Sequence, residues 1–183
     1  MSKEFHDACR RAGSEGIVLL KNDKQTLPLK KGTKVSVFGR IQSHYIKSGT
    51  GSGGLVNVSY VVSIPEGLTA AGLELNEQLA ETYRLWEKEH PFDVGGGWAK
   101  EPWAQVEMPL AHETVLQAAN ETNAAIVIIG RTAGEEKDNS GVEESYLLSQ
   151  TERDMLSLVT ACFDKVIVVL NVGNIIDMKW VAE

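Results

Sequence analysis

The sequence predicts a layered α/β fold, an α/β/α sandwich with a mostly parallel sheet, and three observations carry that expectation. Two continuous apolar runs, AAIVIIG from Ala124 to Gly130 and KVIVVLNVG from Lys165 to Gly173, have strand length and no polar alternation. Such runs suit strands covered on both faces. A third β-branched run, KVSVFG from Lys34 to Gly39, precedes them, and amphipathic segments fall between the runs. Strand, helix, strand, helix, strand is the order of a parallel sheet whose crossovers are helical.

Taken in chain order, EFHDACRRAGSEG (residues 4–16) reads as a short helix ended by glycine. IVLLKN and then TLPL form a brief extended segment with a turn, and KVSVFG is the first good strand. Asn76 to His90 predicts an amphipathic helix, with Leu79, Tyr83 and Trp86 at helical spacing. A long connection rich in Gly, Pro and Trp follows, from His90 to Pro109. Connections of that length are often functional. It reads either as a surface loop pinned by aromatics or as one wall of a cleft. HETVLQAANET predicts a shorter helix, and SQTERDMLSLVTACF opens with a capping box, Ser149 as N-cap and Glu152 three residues on.

The totals bound the function. The chain has 183 residues, enough for one domain or a domain plus an extension. A net charge of −7 argues against a nucleic-acid partner, which needs a basic face, and supplies no polybasic membrane anchor. No apolar run approaches the ~20 residues of a membrane span. The charged N-terminal stretch lacks a leader's apolar core, so the expected location is cytoplasmic. Only Cys9 and Cys162 are present, which points to neither a disulfide framework nor a zinc site. Both are expected as small buried or half-buried apolar residues. Glycosylation sequons at Asn57 and Asn120 are read as coincidental. No metal and no cofactor is expected.

In sheets of this kind ligands bind outside the carboxyl ends of the strands. Two loops leave those ends. The first carries KSGTGSGG, Lys47 to Gly54, in which Gly49, Gly51 and Gly54 spell G-x-G-x-x-G. A dinucleotide site needs those glycines directly after a strand and opening a helix. Here about ten residues intervene, and LVNVSYVVS, which follows, is unlike a helix start. The hydroxyls of Ser48, Thr50 and Ser52 suit sugar hydroxyls, or the loop faces solvent with no ligand. The second loop, GRTAGEEKDNSGVEES, carries Glu135, Glu136, Asp138, Glu143 and Glu144. One of these carboxyls would serve as a general acid if burial raised its pKa; otherwise the loop is a solvated acidic surface.

The segments AGSEGIVLLKNDKQTLPL, KVSVFGR, GTGSGG, IVIIGRTAGEEKDN, LSQTERDMLSLV and VIVVLNVGNIIDM occur in this order. Together they resemble the C-terminal α/β sandwich domain of family 3 glycoside hydrolases, the β-glucosidases, β-xylosidases and related exo-acting enzymes. The resemblance runs from about Ala12 to Met178. It implies a retaining β-glycosidase, whose two carboxyls stand about 5–5.5 Å apart. It places the nucleophilic aspartate in an N-terminal (β/α)8 barrel and lets the sandwich lend the acid/base glutamate and part of the sugar pocket. The family pattern R-x-S-G-E-G-x-D-R falls on Arg131 to Asn139 and makes Glu135 the candidate acid/base. Glu136 stands where glycine is common and Asn139 where arginine is common, so the pattern leaves open which of the adjacent glutamates faces the cleft. The glycine-rich loop of the family matches Gly49 to Gly53, with Ser52, Gly51 and Gly53 as candidate sugar contacts.

A barrel of about 250 residues does not fit in this chain. Residues 1–183 are therefore expected to be one α/β sandwich domain, a fragment that ends earlier than its family usually does and is inert without a barrel partner. The expected substrate is a β-linked glucoside or xyloside cleaved at its non-reducing end. Two other readings stay in view: a sugar-binding or structural module without chemistry, and a doubly wound nucleotide or flavin binder.

Overall fold

The computed structural model describes residues 2–54 and 58–182. Residues 55–57, which include the Asn57 sequon and the start of LVNVSYVVS, lie outside the described residues. Four strands form one parallel sheet: β1 (Lys34–Phe38), β2 (Glu74–Leu75), β3 (Ala124–Arg131) and β4 (Val166–Val172), in the order β2-β1-β3-β4. Val35 to Phe38 pair with Ala124 to Val127, and Ala125 to Arg131 pair with Val166 to Val172. The two apolar runs are thus hydrogen-bonded neighbours. All eight residues of β3 are buried, the burial expected of a central parallel strand.

Period-two alternation divides the core between two layers. On one face Phe38, Ala125, Val127 and Ile129 pack with Leu79 and Tyr83 of α3 (Glu77–Glu89), Val115 and Ala118 of α4 (His112–Glu121), and Met155, Leu156 and Val159 of α5 (Gln150–Cys162). On the other, Val35, Val37, Ala124, Ile126 and Ile128 pack with Ile41, and half-buried Ile64 and Leu68 of α2 (Ile64–Ala70) cover them. The α/β/α layering follows. β4 lies at the outer side of the sheet and is only partly covered, with Val169 exposed.

Side chains cap the starts of α2, α3 and α5, while α4 begins at Ala111 without one. Ser149 and Glu152 form the expected capping box on α5. A second box, Ser63 with Glu66, opens α2 just after Tyr60-Val61-Val62, a helix that the β-branched sequence before it conceals. Asn76 caps α3 from inside the core. Its Oδ1 accepts from Leu79 N (3.0 Å) and its Nδ2 donates to Ser36 Oγ (3.3 Å) and Glu121 Oε2 (3.2 Å).

α1 (Lys3–Gly16) buries none of its residues, and Ile17, Val18, Leu19 and Leu20 after it are 79, 75, 62 and 70 % exposed. Cys9, on this helix, is exposed rather than buried, because nothing among the described residues packs on α1; Cys162 is half-buried as expected. No helix of the described residues is long and apolar enough to cross a membrane.

Candidate functional site

Two loops rise from the carboxyl ends of β1 and β3 and lie against each other. Thr50 N donates to Ala133 O (2.8 Å), and Thr50 Oγ1 donates to Glu135 O (2.7 Å). Thr50 and Gly134 thereby make a one-residue parallel bridge, which carries strand-like pairing beyond the sheet. Gly51 to Gly54 then coil into a short 3-10 turn. The glycine loop is therefore built into the fold rather than free in solvent: Thr50 and Gly51 are buried, while Ser52 and Gly53 are exposed at its tip.

Glycine is required at two of these contacts. Gly51 has φ +67°, and a β-carbon there would stand 2.7 Å from both Cβ and Oε2 of Glu135. Gly134 has φ +132°, and a β-carbon there would stand 2.6 Å from Thr50 N. Side chains at either position would force the two loops apart. Glu136 also adopts a left-handed conformation, φ +57°, which accounts for the glycine that the family pattern carries there.

The exposed carboxylate of Glu135 is bound through one oxygen. Oε2 accepts from Ser52 N (3.0 Å) and from Ser52 Oγ (2.9 Å). The backbone N–H of Ser52 and then its hydroxyl hold the Glu135 carboxyl below the usual carboxylate range. Of the two adjacent glutamates, Glu135 is the one that faces the glycine loop. The sequence brought Glu135, Ser52 and Gly51 forward separately, and the structure joins them; Gly53 stands at the same tip with open space where a side chain would be. Gly51 presents its Cα to the Glu135 side chain rather than to solvent. Behind the tip, Ile46 to Gly49, Ala133 and Asn171 to Gly173 line a hollow of about 210 Å³, which neither Glu135 nor Ser52 borders. Among the described residues Glu135 is covered on the loop side only.

The roots of the loops are charged and buried. Arg131, at the end of β3, donates to Glu152 of α5 through two parallel bonds, Nη1 to Oε1 (2.6 Å) and Nη2 to Oε2 (2.7 Å), with both side chains buried. Arg40, just after β1, lies over the rings of Trp86 (5.4 Å) and Phe92 (5.8 Å). Its backbone N–H donates to the Glu107 carboxylate (3.0 and 3.2 Å), which also accepts from Met108 N (2.8 Å). Burial pushes the Glu107 carboxyl up to about 7 against the pull of those two N–H donors. Sequence reasoning passed over Glu107 and Arg40. A glutamate between Val106 and Met108 carries no mark of its burial.

The long connection after α3 is the strap that carries Glu107, and it lies beside this site. Trp103 O accepts from Thr132 N at the root of the acidic loop (2.7 Å), and the Lys137 ammonium sits over the Trp103 ring at 5.0 Å. Trp103 and Glu107 are seated against the loops, while Trp98 is 54 % exposed.

The family model for the glycosyl hydrolase family 3 C-terminal domain matches residues 17–183. A β-glucosidase of Ruminococcus albus is 50% identical over 180 residues, 98% of this chain and 19% of that protein. β-Glucosidase A of Butyrivibrio fibrisolvens is 32% identical over 201 residues, 92% of this chain and 22% of that protein. Among solved structures, a β-glucosidase from Paenibacillus barengoltzii superposes with a TM-score of 0.96 at 54% identity, over 100% of this chain and 20% of that one. β-Glucosidase 3B from Thermotoga neapolitana, solved in complex with glucose, gives 0.86 at 31% identity, over 98% of this chain and 26% of that one. This chain spans about a fifth of the length of the curated relatives it matches. With the parallel sandwich, the paired loops and these likenesses in hand, the chain belongs to glycosyl hydrolase family 3 and carries that family's C-terminal domain.

Proposed function

We propose that residues 1–183 are one α/β sandwich domain, a half-site of a retaining, exo-acting β-glycosidase of the β-glucosidase kind. In this reading Glu135 is the acid/base, and Ser52 with the backbone at Gly51 and Gly53 contacts the sugar. The nucleophilic carboxylate comes from a (β/α)8 barrel outside this chain. The substrate is a β-linked glucoside or xyloside, cleaved at its non-reducing end by double displacement through a glycosyl-enzyme intermediate. The observation that carries the reading is the Glu135–Ser52 contact at the tip of two loops that glycines allow to touch, in a chain half identical to a β-glucosidase.

The electrostatics give the partner a definite task. A general acid at neutral pH needs a raised pKa, and the Ser52 donors act in the opposite direction. Glu135 is a carboxylate in this chain. It becomes a proton donor when a covering surface and bound sugar desolvate it and draw Ser52 away. The exposed Ile17–Leu20 run and the unpacked α1 are apolar surface of the kind that marks a contact region.

The lowered pKa equally favours a second reading, a sugar-binding or structural module in which Glu135 never transfers a proton. Hydrolysis of p-nitrophenyl β-glucoside and β-xyloside separates the two. The chain alone is expected to be inert and to gain activity when a separately produced family 3 barrel is added. In the assembled enzyme Glu135→Gln should lower kcat at least 100-fold, with azide restoring turnover of the activated substrates. Activity from the chain alone would refute the half-site. Full activity of the variant on poor leaving groups would leave the module reading standing.

A further inference from the structure

We propose that Glu107 is a positioning residue for the Glu135–Ser52 pair: the strap that carries it bolts the roots of both loops, so that the charge on Glu107 sets how the two loops meet. The role of the pair in sugar chemistry rests on the reading above; the coupling of Glu107 to the pair does not.

The strap bonds both roots, and His90 O at its start also accepts from Arg40 Nη2 (3.0 Å). Trp103 O takes the N–H of Thr132, which opens the acidic loop, and four residues on, the Glu107 carboxylate takes the N–H of Arg40, which opens the glycine loop. Glu107 also takes the N–H of Met108, so its charge tightens the strap on itself. From Arg40 the connection to the tip is continuous. Ile41 packs where a β-carbon on Gly130 would stand, 2.7 Å from Cγ1. Ile46 exchanges two hydrogen bonds with the Asn171 side chain. Thr50 then locks onto Ala133 and Glu135. The strap thereby spans the two elements whose tips must stay in contact for Ser52 to reach Glu135.

The surroundings make Glu107 the group whose charge state varies here. Glu107 is 8 % exposed. Arg40 faces it from the turn after β1, Tyr83 from α3, and Glu152, itself paired with Arg131 of β3, from α5; Glu87 of α3 shares the Arg40 charge. Burial and the Glu152 carboxylate oppose its ionisation, while the two N–H donors and Arg40 favour it, and the balance lies at about 7. Protonation removes the negative charge that the Arg40 N–H points to. It also leaves the Arg40 guanidinium, whose Nε has no hydrogen-bond partner, with less counter-charge.

The backbone amides of Thr50 and Ser52 read this directly in the chain as it stands, by ¹⁵N NMR across pH 3–9. Ser52 is expected to move in two steps. One lies below the ordinary carboxylate range and belongs to Glu135; the other lies near pH 7 and shares its midpoint with the Glu107 carboxyl followed by ¹³C. Glu107→Gln should abolish the upper step and leave the lower one. An unmoving Ser52 amide between pH 6 and 8, an upper step that survives Glu107→Gln, or midpoints that differ between Ser52 and Glu107 would each overturn the proposal. The last comparison uses the unaltered chain and so holds even if the variant fails to fold. None of these readouts needs turnover, so a failed reconstitution would count against the half-site alone, not against this coupling.

Discussion

Glu152→Ala tests whether the buried charge at the root of the acidic loop is structural. Glu152 accepts both Nη groups of Arg131, at 2.6 and 2.7 Å, and its Oε2 also accepts from Ser149 N (2.8 Å) to close the capping box of α5. Removing one partner of a buried pair typically costs about 3–5 kcal/mol, because the other charge stays buried and uncompensated. Arg131 keeps bonds to the carbonyls of Gly130, Ser145 and Leu147, which places the pair loss at the lower end of that range. Losing the return bond of the capping box adds about 0.5–1 kcal/mol. The expected total is about 4 kcal/mol, a large part of the roughly 5–15 kcal/mol that holds a domain together. Urea unfolding followed by circular dichroism and tryptophan fluorescence measures it. Glu152→Gln keeps one acceptor oxygen, able to serve Arg131 Nη2 and Ser149 N, but sets an NH2 against Arg131 Nη1, so it should lose less than Glu152→Ala without matching the unaltered chain. The double variant Arg131→Met/Glu152→Leu should be more stable than Glu152→Ala, since no charge is then left buried. A loss below about 1 kcal/mol for Glu152→Ala, or additive costs in the double variant, would refute the reasoning.

Two further outcomes follow from the carboxylates. Ser52→Ala removes the hydroxyl donor to Glu135, so the Glu135 midpoint should rise toward the ordinary carboxylate value in a ¹³C titration; an unchanged midpoint would mean the hydroxyl is not bound there. The pKa of Glu107 in the folded chain, raised to about 7 from 4.5, means the folded state holds its proton more tightly than the unfolded one. That contribution is fully present below pH ~4.5 and is lost as pH rises through about 7, a fall of about 3 kcal/mol. Glu107→Gln should remove this part of the decline between pH 5 and 7, and denaturant midpoints measured across that range check it.

The sheet was legible because continuous apolar runs leave little choice. AAIVIIG is buried between two covering layers as β3, and VIVVLNV pairs beside it as β4, where the expected two-sided cover is only partial because β4 is the outer strand. The Ser149–Glu152 capping box was equally legible, since it is a local bond between residues three apart. α2 was missed although Ser63-Ile64-Pro65-Glu66 spells the same box, because the β-branched residues before it outweighed the cap. β2 has two residues, too few to show any period, and exists because β1 offers it a free edge.

At the candidate site, chain order and residue type marked the glycine loop and the acidic loop, and the family resemblance singled out Glu135 within the second as the candidate acid/base. Only the tertiary structure decided that Glu135 rather than Glu136 meets Ser52. That contact joins residues 83 positions apart. It also decided that Glu107, one glutamate among many in the sequence, is buried with a carboxyl near 7 while Glu135 is exposed and held low. Local sequence specifies hydrogen-bonding capacity. The cost of charge depends on which distant groups exclude water from it, and that is known only when the layers have closed.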